Sequence, residues 1–174
     1  MSDDHYEVRL QQVRERNKLI IGHFVHTWRG RISDNTLYQH VMNFEYFANG
    51  HLNYYADTDE LRSLDQVTGW MVYDFITDWL PRKGLVTSAR RVKSYLASFN
   101  KLFKFMGEHG YMEPEDAAEV LDLLKEDRQL MIDAVVTYDD PIKDQSPEEF
   151  QAHLQELVER WKSICQESKD AGEK

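Results

Sequence analysis

Residues 88–108 read SARRVKSYLASFNKLFKFMGE, and the spacing within them decides the fold class. Val92, Tyr95, Leu96, Phe99, Phe103 and Met106 recur at intervals of three and four, which places them on one face of an α-helix. At about 100° per residue, Arg90, Lys93, Ser94, Ala97, Lys101 and Lys104 fall on the opposite face. The spacing predicts a helix that starts after Thr87 or Ser88 and runs to about Glu108, closed by Gly110. Its outward strip is cationic. Small side chains at Ser94 and Ala97, set between long basic ones, let such a strip approach a phosphate backbone closely.

The same period extends in both directions along the chain, and no run alternates with a period of two long enough to argue a strand. Upstream, a first helix is expected over about Tyr6 to Trp28, with Leu10, Val13, Ile20, Ile21, Phe24 and Trp28 on one side and Gly30 as its stop. Ser33 or Asp34 caps a second helix reaching about Tyr55, whose stripe is Leu37, Val41, Phe44, Phe47 or Ala48, and Leu52. Ser63 and Gln66 form a capping box for a third, with Val67, Trp70, Met71, Phe75 and Trp79 inward, ended by Pro81 and Gly84. Downstream, Pro114 opens a fifth helix carrying Ala117, Val120, Leu121, Leu124, Met131, Ile132 and Val135. The expected organisation is an all-α bundle over residues 1–138, a linker at 139–145, an amphipathic helix at 146–170 and a disordered tail at 171–174. The last helix, opened by Ser146-Pro147-Glu148-Glu149, has an apolar face that either packs back on the body or forms a homodimer.

Charge is distributed unevenly. Between Arg82 and Lys104 lie seven basic residues and no acidic one, in a chain of 174 residues whose net charge is -10. Everything else therefore sums to -17. A basic island on an acidic protein is where an anionic partner is sought first, with nucleic acid the leading candidate. The candidate contacts are Arg82 and Lys83 at the preceding loop, Ser88 at the helix start, and Arg90, Arg91, Lys93, Ser94, Lys101 and Lys104 along the helix. The plain alternative is a solvated helix face salt-bridged to the acidic remainder.

Other chemistry is weakly signalled. His23 and His26 lie three apart on one helix, as metal ligands do, but no third ligand follows by spacing. Asp57, Asp59 and Glu60, and again Glu113, Glu115 and Asp116, cluster where acidic residues favour a helix start. Tyr54, Tyr55 and Trp70 sit at helical spacing that assigns them to the core in preference to base stacking. Nucleophile motifs, phosphate-binding glycine loops and dinucleotide fingerprints are missing. The expectation is a protein that is not an enzyme, with no cofactor and no metal. A lone Cys165 allows no internal disulfide. With an acidic start and no apolar run of membrane length, it points to a cytoplasmic protein that does not enter a membrane.

Three stretches carry a family resemblance. Thr36-Leu37-Tyr38-Gln39-His40-Val41, continuing through Phe44 and Phe47, is the first. Leu64-Asp65-Gln66-Val67, continuing to Phe75 and Leu80, is the second. Ser88 to Phe99, then Phe103-Lys104-Phe105-Met106 and Gly110, is the third. In this order they resemble the SAM-like core-binding domain of tyrosine recombinases and phage integrases, over residues 33–110. The resemblance implies a helical clamp on double-stranded DNA without the catalytic domain, since no His-x-x-Arg pattern follows the clamp. The one such pattern, His26-Thr27-Trp28-Arg29, precedes it. The function expected on this basis is a noncatalytic DNA-binding or recombination-accessory protein. The competing reading is an acidic protein-interaction module, dimeric through the last helix, or a DNA mimic drawing on the -12 carried by residues 105–174.

Overall fold

The computed structural model describes residues 2–54, 56–83 and 88–138. The expected linker, last helix and tail, with Cys165 and the dimerisation face, lie outside the described residues, as do Tyr55, Gly84 and Thr87. The fold is an all-α bundle, as the periodicity requires, and there is no strand among the described residues. Its helices are α1 (Ser2–Trp28), α2 (Asp34–Gly50), α3 (Gly69–Asp74, running on through a π-helical turn Phe75–Trp79 and a final turn Leu80–Arg82), α4 (Ala89–Glu108), α5 (Pro114–Glu126) and α6 (Arg128–Val136). No described helix is long and apolar enough to cross a membrane.

Helix α4 is the central member, packed against α5, α6, α2 and α1, while α3 leans on α5 and its π-helical turn on α6. Its predicted inward residues are buried, and Ser98, Leu102 and Phe105 join them. The core is phenylalanine-rich. Phe24, Phe44, Phe47, Phe75, Phe99 and Phe103 are fully buried, and each such ring removed from water is worth about 1.5–3 kcal/mol before entropy is counted. Phe24 meets Phe44 edge to face with centroids 5.0 Å apart, and Phe47 lies 4.9 Å from Phe75 and 5.0 Å from Phe99. These are the separations that offset and edge-on aromatic pairs favour.

The helix ends follow from local chemistry. Gly30 and Gly110 are the two described residues with positive φ, at 77° and 70°, a conformation glycine adopts without steric cost. After Gly110, the Tyr111 amide reaches back to the Met106 carbonyl at 2.9 Å, which is a Schellman closure. Ser33 caps α2 by accepting from the Thr36 amide at 3.2 Å. The connection from α2 to α3 is pinned by side chains. Asn53 pairs with both the amide (2.7 Å) and the carbonyl (2.9 Å) of Arg62, Asn17 of α1 accepts from the Leu64 amide at 2.7 Å, and Arg16 pairs with Asp65 at 2.7 Å.

Five expectations need correction. Helix α2 ends at Gly50 and does not reach Tyr54. The Ser63–Gln66 capping box forms, but it closes only the 3₁₀ turn Leu64–Gln66, and α3 begins five residues later than the box implies. Pro81 does not end α3, which continues to Arg82. A proline ring clashes with the carbonyl four residues back and leaves it without a donor, and the wider π-helical turn immediately before Pro81 relieves that conflict. The single helix expected from Pro114 to Val135 is two, broken at Asp127, where φ is -92° and ψ 9°. Finally, Trp70 and Tyr54 are not core residues: Trp70 is 69% exposed and Tyr54 53%, whereas Trp79 is 4% exposed. Trp70 instead stacks on Tyr73, with centroids 5.8 Å apart and planes 17° from parallel.

Candidate nucleic-acid interface

The start of α4 concentrates free positive charge. Arg90, Arg91 and Lys93 are exposed, and among the described residues none of them forms an ion pair. No acidic residue occupies the first turn of α4. Arg90 and Arg91, in the first turn, face the partial positive charge of the helix end and cost roughly 0.3–1 kcal/mol each, while Lys93 follows just beyond it. Ser88 sits at the N-cap with an exposed, extended backbone, and its side chain makes no capping bond.

The remaining predicted contacts are placed less uniformly. Arg82 is exposed and shares its charge with Asp78, four residues back, at 2.9 Å. Lys83 holds its ammonium 4.7 Å from the Trp79 ring and 4.9 Å from the Tyr54 ring. Those partners are neutral, so its charge persists. Ser94 is half-buried, and its carbonyl accepts from the Ser98 hydroxyl at 2.9 Å, which leaves the backbone of this turn tied inward. Ala97 is exposed, as a close-approach position requires. Lys101 is half-buried with its ammonium 3.5 Å from the Trp28 ring centroid, a cation–π contact at short range. Lys104 is exposed and lies 3.9 Å from Glu108, an i,i+4 surface pair of little strength.

Two cations that the sequence reading missed stand beside this strip. Lys125 at the end of α5 and Arg128 at the start of α6 line one cavity of about 630 Å³ together with Lys101 and Lys104. The turn at Asp127 brings them there. A second cavity of about 320 Å³ adjoins the other end of α4, where Arg91 borders Tyr38, Met42, Tyr46 and Tyr95. Burial raises the Tyr95 phenol above its ordinary value, against the opposing pull of the Arg91 charge.

The other candidates resolve into structural roles. His23 Nδ1 lies 2.9 Å from the Tyr111 hydroxyl, and its ring packs edge-on against Phe105 and His109. His26 is exposed, and no group of three or more metal-binding side chains occurs among the described residues. Glu60 accepts from the Asp57 amide at 3.3 Å, closing a capping box around a 3₁₀ turn. Glu115 and Asp116 occupy the first turn of α5, where the helix dipole favours them. No protein-family model matches this chain, and no curated protein or solved structure matches it.

Proposed function

We propose that this chain is a noncatalytic duplex-DNA-binding protein that lays the outward face of α4 against the phosphate backbone, as the resemblance to the integrase clamp implies. One observation carries the reading. Arg90, Arg91 and Lys93 crowd the positive end of a helix and are neutralised by no carboxylate among the described residues, although the chain is rich in carboxylates. A merely solvated face has no reason to bear that cost. A phosphate backbone supplies the missing negative charge, meeting the helix terminus and its cations together. Further along, Lys101 and Lys104 continue the strip about two turns on, and exposed Ala97 lets the backbone come close. The acidic remainder limits nonspecific affinity, so the contact is a salt-sensitive one.

The test is titration of a fluorescent duplex across a salt series, with Arg90→Ala/Lys93→Ala alongside. Each phosphate contact contributes about 0.9 to the slope of log affinity against log salt, so losing two lowers the slope by about 2. An unchanged helical spectrum accompanies the expected loss. Absence of salt-sensitive binding at low ionic strength overturns the reading.

A further inference from the structure

We propose that the cleft between α4 and the α5–α6 turn is a binding site for a nucleoside di- or triphosphate, the phosphates held by Lys101, Lys104, Lys125 and Arg128 and the nucleoside by the wall at Trp28, Ala97 and Asn100. Its volume, about 630 Å³, falls within the roughly 300–1,000 Å³ of small-molecule sites. Charge sets the ligand class. Four cations face a single carboxylate, Glu108, giving the lining an excess of three positive charges. That matches the charge of a polyphosphate chain and exceeds what a single carboxylate ligand needs.

The cations are also differently held. Lys101 is fixed over the neutral Trp28 ring and not by a carboxylate, so it is positioned while its charge stays available. Lys104 shares its charge only through the long 3.9 Å contact with Glu108. Lys125 and Arg128 form no ion pair among the described residues. Leu96, Phe105 and Leu124, almost fully buried, close the base of the cleft, and half-buried Trp28 and exposed Ala97 offer apolar surface to a ring system. Asn100, exposed on the same wall, offers both a donor and an acceptor to a base edge. A built site of this type combines a few convergent polar groups with apolar walls. The inference shares Lys101 and Lys104 with the duplex reading but does not rest on it, since Arg90, Arg91 and Lys93 carry that reading.

The full chain is titrated with ATP, GTP and inorganic tripolyphosphate at constant ionic strength, followed by calorimetry and by tryptophan emission. Saturable nucleotide binding tighter than that of tripolyphosphate is expected, with Trp28→Phe removing the emission change. Lys125→Ala/Arg128→Ala lies off α4, and should weaken nucleotide binding about tenfold or more, by loss of two charge-assisted contacts, while leaving duplex affinity nearly unchanged. Glu108→Gln removes the one opposing charge and should tighten binding several-fold, an increase that misfolding cannot imitate. A 5′-phosphorylated oligonucleotide end competing better than free nucleotide would assign the same subsite to a chain terminus. No saturation up to millimolar nucleotide, equal binding of tripolyphosphate and nucleotide, or indifference to both the α5–α6 and the Glu108 substitutions overturns the proposal.

Discussion

His40 Nδ1 of α2 lies 2.8 Å from Ser98 Oγ of α4, at the centre of a buried polar cluster. The Ser98 hydroxyl donates to the Ser94 carbonyl at 2.9 Å and accepts from Asn43 Nδ2 at 2.9 Å. With its proton committed, the hydroxyl requires His40 to donate from Nδ1, which fixes the neutral tautomer. Burial lowers the His40 pKa below 6.5, and the nearby Lys101 charge lowers it further. His51 is lowered too, mainly by burial, against the opposing pull of Asp74 at 3.6 Å.

A depressed histidine has a definite sign in folding. Below its unfolded value of 6.5, the unfolded chain binds a proton that the folded chain refuses, so stability falls as pH falls through that value and on toward the folded pKa. Acidification also relieves the net negative charge, so the informative quantity is the difference between the native protein and His40→Gln. The native protein should lose more denaturation midpoint than the variant between neutral and mildly acidic pH. Identical slopes would refute this. Lys101→Met should move the His40 titration upward by NMR, though still short of 6.5, because burial remains.

Ser98→Ala leaves two donors, His40 Nδ1–H and Asn43 Nδ2–H, facing a methyl group in a fully buried site. An unsatisfied buried donor costs about 1–3 kcal/mol, so a loss of roughly 2–6 kcal/mol for the two is expected in urea unfolding. Adding His40→Phe should recover part of that loss, since one of the orphaned donors disappears. A double variant no more stable than Ser98→Ala would mean that the hydrogen bond is not what Ser98 contributes.

The amphipathic face of α4 was readable because its apolar residues repeat every three to four positions, and the helix stops at Gly30 and Gly110 because both need positive φ. The polar cluster was not. His40 and Asn43 interrupt an apolar stripe, and what makes them core residues is Ser98, 58 and 55 positions away. Lys125 and Arg128 were hidden for a similar reason. They are isolated cations in an acidic stretch, and only the break at Asp127 swings them to Lys101 and Lys104. Periodicity alone carried the helix straight through that residue.

Trp70 shows the same limit of spacing arguments, which place it inward together with Trp79, and the two predict opposite outcomes. Trp79, 4% exposed and in contact with Tyr54 at a centroid distance of 4.9 Å, should cost about 3–5 kcal/mol when replaced by alanine. Trp70 is largely in water, so Trp70→Ala loses little beyond its stacking on Tyr73, under about 1 kcal/mol. Chemical denaturation of the two variants side by side decides between core and surface. Comparable losses would contradict the exposure assigned to Trp70.

Gly107 lets α4 and α5 meet closely. A Cβ built there would lie 3.0 Å from Ala117 Cβ, and Ala117 is buried with no flexible end to swing aside. Gly107→Val therefore overpacks the joint, with an expected loss of about 1–3 kcal/mol despite the better helix propensity of any residue over glycine. A stabilised variant would show that the helices separate without cost.

Arg91 is the residue at which folding and binding should pull in opposite directions. It is the third residue of α4, after Ser88 at the N-cap, so Arg91→Glu creates the Ser-x-x-Glu pattern in which each side chain satisfies the other's orphan amide. It also replaces a cation with an anion at the positive end of the helix. On these grounds the variant should be more stable by about 1 kcal/mol, through the new cap and the dipole together. Its duplex affinity should fall, with a shallower salt slope, since a phosphate contact has become a repulsion. Stability gained and binding lost in one substitution is the signature of a charge kept for a partner. If Arg91→Glu is stabilised but binds duplex as before, the cations at this end of α4 are not where the backbone sits, and the contact must be sought further along at Lys101 and Lys104.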